Sequence, residues 1–365
     1  MAFRDTRIFK WWERYEHHLG VGALAVGFAF DVILAKRPDS IVDHILLLTY
    51  LTIAGTVIIL LNRREMRKKE REHSSEPLFL LLLLQFCFGG LASNFLVLYG
   101  KSGTFTVDVL FLGFLVALIF GNEYLRSRYA QLRFNVGVYY ILILTYCVIA
   151  VPVFLTHTLG TWVFLLSGII SLAVIAAFMF LLMTVVFRRK EPQKLLGVAT
   201  IVLGIFLTFN VLYFLNIIPP VPLSLKDIGI YHSLLKKSDG NYTGLYEPSP
   251  WWQVWRDTSK TYTLSAGESA FCFSSVFAPT HLSVPVYHRW EKYNGDKRAW
   301  ETQSLVAFPI AGGRDDGYRG YSVKSALTTG SWRCDVETKS GALIGRSDFE
   351  VVGSTSAPAL SQRTL

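Results

Sequence analysis

Charge is what this sequence has least of. Only 17% of its 365 residues are Asp, Glu, Lys or Arg, where a soluble domain carries about 25%. That deficit, with 52% hydrophobic residues, excludes an ordinary water-soluble fold for much of the chain. Catalytic signatures are lacking too. There is no Gly-x-Ser-x-Gly elbow, phosphate-cradling Gly loop, His-Glu-x-x-His helix or Cys-x-x-Cys pair, so the common hydrolase, nucleotide and redox motifs do not apply. Ser, His and Asp all occur, but nothing fixes their geometry, and no catalytic residue, cofactor or metal is assigned. Gly312-Gly-Arg-Asp-Asp-Gly317 lacks the alternating oxygen ligands of a calcium loop. The net charge of +9 is +7 before residue 221 and +2 after it. The second part is nearly neutral, which argues against a nucleic-acid partner.

What is present is apolar and long. A membrane helix needs about 20 mostly apolar residues. Such runs lie near 18–35, 41–62, 77–99, 105–121, 136–155, 162–187 and 195–218. They predict a seven-span helical bundle over 1–220, with the lipid bilayer as its first partner. Alternate connections hold 17 of the basic residues, among them Arg63, Arg64, Arg67, Lys68, Lys69 and Arg71; the others hold only Lys36, Arg37 and Lys101. Cytoplasmic loops collect Lys and Arg, so the N-terminus is expected in the cytoplasm and the C-terminus outside. The first run follows nearly 20 polar or aromatic residues without a small-residue cleavage site, and is read as an uncleaved span.

Ionisable residues in membrane spans are costly and often functional. Asp31, Asp43, His44, Asp108 and His157 all fall near the external ends of their runs. Two readings stand. They line a shallow outward-facing site for a metal ion, a proton or a headgroup, or they cap helices at headgroup level. Gln85, Asn94 and Asn210 lie deeper and are expected to bond between helices. Ala23 with Gly27, and Gly89 with Ser93, suit close helix packing within the bundle or in a homo-oligomer.

Pro219, Pro220 and Pro222 end the last run. Residues 221–244 read as a juxtamembrane linker with a short amphipathic segment. From 245 to 353 the apolar period falls to two, with strands expected near 259–264, 269–278, 284–293, 299–309, 318–327, 331–338 and 343–352. Seven strands over about 110 residues suit an all-β, immunoglobulin-like sandwich. Residues 354–365 read as a disordered tail. Cys272 and Cys334 fall on the second and sixth of these strands, with Trp290 between them. An immunoglobulin sandwich joins those strands by a disulfide packed on a Trp; the alternative is two buried thiols. Trp251, Trp252, Trp255 and Trp300 are possible ligand-contact aromatics, and equally core or interfacial anchors.

Pro219-Pro-Val-Pro-Leu-Ser-Leu-Lys226, His288-Arg-Trp290, Gly330-Ser-Trp-Arg-Cys-Asp-Val336, Gly341 and Phe349-Glu-Val351 resemble the bacterial domain of unknown function 2914 over roughly 220–353. The resemblance implies a bacterial envelope setting: an inner-membrane protein with a periplasmic β domain. It implies no activity. The leading expectation is a domain that binds an envelope protein or glycan. The runner-up is a transporter or membrane-embedded enzyme using the outward Asp/His group, with the β domain as scaffold or lid.

Overall fold

A computed structural model describes residues 39–68, 78–102, 132–187, 192–238, 240–249, 258–265, 267–280, 282–311, 317–353 and 358–365, with Gly113 and Ala117. The chain divides into two compact units, one helical and one built of strands.

The described helices are α1 (Ile41–Lys68), α2 (Leu78–Ser102), α3 (Leu132–Ala150), α4 (Thr161–Val185) and α5 (Pro192–Phe214). All five are long and apolar enough to cross a membrane. They coincide with five of the seven expected runs. The run at 18–35 lies outside the described residues, and so does nearly all of 105–121. The most buried helix is α3, and α1 and α5 pack on it. Its tyrosines explain this. The Tyr139 hydroxyl donates to the Leu51 carbonyl of α1 at 3.1 Å, and the Tyr140 hydroxyl meets Ser171 Oγ of α4 at 3.3 Å. A hydroxyl in an apolar medium needs a partner, and these bonds join neighbouring helices. Asn94 and Asn210 behave otherwise: each donates to the carbonyl four residues back in its own helix. Many exposed side chains on α4 and α5 are large and apolar, as at Ile169, Phe180, Leu203 and Val211. A π-helical turn, Val151–Thr156, continues α3. Pro152 within it has no N–H to give the helix ladder.

The second unit contains β1 (Ser224–Tyr231), β2 (Ser233–Lys236), β3 (Tyr242–Tyr246), β4 (Thr261–Leu264), β5 (Ala270–Phe277), β6 (Ser283–Asn294), β7 (Ala299–Ala311), β8 (Tyr318–Lys324), β9 (Gly330–Thr338), β10 (Leu343–Gly353) and β11 (Ser361–Thr364). They form three sheets, ordered β1-β5-β8, β4-β10-β9-β6-β7 and β11-β3-β2. Neighbours are antiparallel except β4 and β10, which run parallel.

The linker expected over 221–244 is largely strand. From Ser224↔Phe277 to Tyr231↔Phe271, β1 pairs with β5. Its Ile228, Ile230 and Tyr231 carry a short apolar pattern that fits a helix face as well as a strand, and the partner strand decides. The tail expected to be disordered holds β11. Its side chains are polar, so its backbone pairing with β3 and the buried Leu365 hold it.

Two apolar clusters separate the first two sheets. One gathers Ile230, Tyr262, Cys272, Trp290, Trp332, Cys334, Phe349 and Val351. The other gathers Leu223, Val276, Val284, Val286, Ile310, Val336 and Ile344. The third sheet covers the far side of β5, where Tyr231, Leu234, Tyr242, Phe273 and Leu365 pack together. The first two sheets approach tightly at Gly345, where an added Cβ would collide with the Leu225 side chain.

Candidate functional site on the five-stranded sheet

Alternation along a strand sends successive side chains to opposite faces. On β9, Trp332, Cys334 and Val336 point into the core, and Arg333, Asp335 and Glu337 point away from it. On β6, His288 and Trp290 point inward and Arg289, Glu291 and Tyr293 outward.

The inward set forms a closed polar chain. His288 is fully buried; its Nε2 meets Ser274 Oγ at 2.8 Å and its Nδ1 meets Ser322 Oγ at 2.9 Å. The Trp290 indole N–H donates to the same Ser322 Oγ at 2.9 Å. Burial pushes the imidazole down to about 3, because the charged ring would sit in apolar surroundings. A neutral ring satisfies the chain: Trp290 donates to Ser322, Ser322 to Nδ1, and Nε2–H to Ser274. Beside it, Cys272 and Cys334 are joined by a disulfide between β5 and β9. Ligand atoms of Cys272, His288 and Cys334 lie within 4.8 Å of one another. In this state the sulfurs bind each other and both ring nitrogens bind hydroxyls, so the arrangement is structural.

The outward face is a chequerboard of opposite charges. Arg289 forks onto Glu337 through Nε and Nη2. Arg346 forks onto Asp335 at 2.7 and 2.6 Å. Arg333 Nε donates to Glu291. The register explains the pattern: Arg333 stands between Glu291 on β6 and Asp348 on β10, and Asp335 between Arg289 and Arg346. Glu291, Asp335 and Glu337 are only 7%, 4% and 6% exposed, since the arginine stems lie over them. Hydrogen bonds to Glu337 hold the Arg289 guanidinium above its ordinary range, and those to Asp335 do the same for Arg346.

At one end the lattice meets aromatics. The Arg333 guanidinium lies 4.4 Å from the Trp300 ring centre. Tyr293, the register partner of Trp300, meets that ring at 5.4 Å with planes 64° apart. Tyr293 is 39% exposed.

The sequence singled out Trp300 but not Tyr293 or the arginines. The signal was legible as Arg-x-Glu on β6 and Arg-x-Asp-x-Glu on β9. It was missed because charge alternation on a strand usually marks a solvated face. A second unforeseen cluster surrounds His232. Its Nε2 meets Glu247 at 3.0 Å, its Nδ1 meets Glu268, and its ring stacks on Tyr262 at 4.2 Å. Burial, then the charges of Glu268 and Glu247, hold the Tyr262 hydroxyl well above its ordinary range.

The remaining expected residues are scattered. Trp251, Trp252, Trp255, Asp31 and Asp108 lie outside the described residues. Asp43 and His44 sit in the first turn of α1. His44 is buried, 3.4 Å from the Tyr146 hydroxyl and edge-on to Phe154 of the π-helical turn. His157 is exposed, with φ of 50°.

Residues 284–351 match the family model "Protein of unknown function (DUF2914)". The DUF2914 match runs from β6 to β10. It takes in His288, Trp290, Cys334 and the whole charged lattice, and leaves out Cys272 and His232. It is narrower than the 220–353 suggested by the residue motifs. No curated protein matches the chain. Among solved structures, the chain is similar to a β-glucosidase from Listeria innocua in complex with gluconolactone, at 13% identity and TM-score 0.19. That match covers 30% of this chain and 16% of the other, so the chain spans about a sixth of that protein's length. It is also similar to Pseudomonas fluorescens alkylpurine DNA glycosylase AlkC bound to DNA containing an abasic site analog, at 9% identity, covering 83% and 97%, with TM-score 0.22. At these TM-scores neither likeness bears on what the chain does.

Proposed function

We propose that this chain is an inner-membrane protein whose DUF2914 domain is a periplasmic, immunoglobulin-like binding module for an envelope protein or glycan. The observation that carries the reading is the outward face of the five-stranded sheet, where ordered arginines and carboxylates border two aromatic rings. Inside the domain, both ring nitrogens of buried His288 are bonded to Ser274 and Ser322. Binding sites favour preorganised polar groups beside aromatic surface.

The immunoglobulin-like reading is supported by a disulfide between facing sheets packed with Trp290, the register partner of Cys334. The extracytoplasmic reading is supported by the same disulfide, which reducing compartments disfavour, and by the loop charges. The test is crosslinked co-purification of the full chain from native membranes. A photo-reactive residue at position 302, beside the aromatics, should capture an envelope component; the same probe at the exposed Val323 of the other sheet should not. Equal capture from both positions sinks the reading.

A second reading, an active helical bundle, is favoured by one feature. The π-helical turn after α3 brings Phe154 against buried His44, and such turns recur at functional sites. His44→Ala would abolish a bundle activity and leave capture at position 302 intact.

A further inference from the structure

We propose that His232, Glu247 and Glu268 form a proton-operated latch, which fastens the third sheet to the turn between β4 and β5 and loosens as pH rises. The inference goes beyond the binding-module reading and does not depend on it.

The latch sits where the third sheet meets β4. His232 lies between β1 and β2, Glu247 follows β3, and Glu268 lies in the turn before β5. The His232 backbone N–H donates to the Leu245 carbonyl at 2.8 Å, which sets the ring beside the end of β3. Tyr262 of β4 stacks on that ring, with planes 10° apart. The His232 side chain is 3% exposed, Glu247 15% and Glu268 24%. The ring is therefore dry, and Glu268 is the member nearest to solvent.

The hydrogen bonds need one proton more than a neutral ring supplies. Glu247 Oε1 accepts the Thr263 N–H, and its Oε2 meets the Thr263 hydroxyl at 3.1 Å. Glu268 Oε2 accepts the Ser265 N–H at 3.0 Å. Nε2 of His232 faces Glu247 Oε1 at 3.0 Å, and Nδ1 faces Glu268 Oε1. A neutral imidazole has a single N–H. It donates to one carboxylate and turns a lone pair on the other, which is costly where water cannot intervene. A second proton, in the contact between Nδ1 and Glu268, closes both links.

The groups facing the ring are few. Tyr262 donates its hydroxyl to the Ser269 carbonyl at 3.1 Å and is held above its ordinary range, chiefly by burial, so it stays neutral. Among the described residues, no Lys or Arg pairs with Glu247 or Glu268. The latch is closed while the second proton is present, and it loses the Glu268 link as rising pH withdraws that proton. His288 acts with the opposite sign, because its contribution is lost as pH falls.

The experiment follows amide hydrogen exchange of the full-length protein in detergent at about pH 6 and about pH 8.5, corrected for intrinsic rates. Linkage to one proton makes opening at most about tenfold easier per pH unit. Amides of β2 and β3, with those of Ser265 and Glu268, should exchange several-fold faster at the higher pH. Those of β6 and β9 should not change. Glu268→Gln is the discriminating variant. Its carboxamide donates an N–H to a bare Nδ1 and so satisfies a neutral ring, and the same amides should stay protected at both pH values. Equal corrected exchange in the parent at the two pH values overturns the proposal, whatever the variant does. A pH response in Glu268→Gln as large as the parent's overturns it too, because the proton would then sit elsewhere.

Discussion

Ser322 links two buried partners. It accepts from Trp290 and pairs with His288, both fully buried. Removing its hydroxyl leaves two buried polar groups short of a partner, at about 1–3 kcal/mol each. Ser322→Ala should therefore lower the thermal midpoint of the β domain by several degrees. Val323→Ala, one residue along at an exposed position, should leave it within error. His288 adds a pH dependence with a definite sign. Its folded value is about 3 against an ordinary 6.5, so the unfolded chain takes up the proton first. Its contribution is complete above 6.5 and is lost as pH falls towards 3, at up to about 1.4 kcal/mol per pH unit. Unfolding free energies measured across that window should show the slope in the parent protein and lose it in His288→Gln. An unchanged slope would mean the imidazole is charged in the folded state.

Strand registry turns single ion pairs into a lattice, and burial decides which pairs matter. Glu337 is 8% exposed at its side chain and accepts from both Nε–H and Nη2–H of Arg289. Breaking such a pair strands a charge, so Glu337→Ala should cost about 3 kcal/mol. The pair Lys297–Glu301, with side chains 72% and 37% exposed, is solvated, and Glu301→Ala should cost far less than Glu337→Ala. Chemical denaturation of the two variants tests the ranking; equal costs would mean the lattice is held no more tightly than a surface pair. The elements themselves were largely readable. All seven strands expected between 259 and 352 exist; β6 alternates over most of its length, whereas β5 is buried on both faces. Those at 224–246 were not foreseen, since β2 and β3 are short and the apolar residues of β1 fit a helix equally well. β11 was illegible for a different reason: it is polar and held by backbone bonds, which leave no trace in side-chain pattern. The lattice lay open as alternating charges, but the stacking of Arg333 on Trp300 is a contact between β9 and β7 across 33 residues that no local pattern encodes.

At the scale of the molecule, the disulfide ties the argument about fold to the argument about compartment. Cys272 and Cys334 are 62 residues apart, and closing such a loop stabilises the domain by about 4 kcal/mol in the chain-entropy account. Such a link favours a compartment where thiols oxidise, in line with the proposed orientation from 17 basic residues against three in alternate connections. The two lines are independent, so they are tested separately. Chain extracted from native membranes under denaturing, non-reducing conditions should give two maleimide adducts, from the buried thiols Cys87 and Cys147. Prior reduction should give four. Four without reduction would show the pair as free thiols in the cell and remove the chemical support for an external domain. Protease added to sealed spheroplasts should trim the chain from its C-terminal side, and leave it intact if the domain faces the cytoplasm. Trimming without a disulfide would keep the orientation and overturn the redox argument. A disulfide without trimming would overturn the loop-charge argument, because the basic residues would then be facing outward in spite of their number.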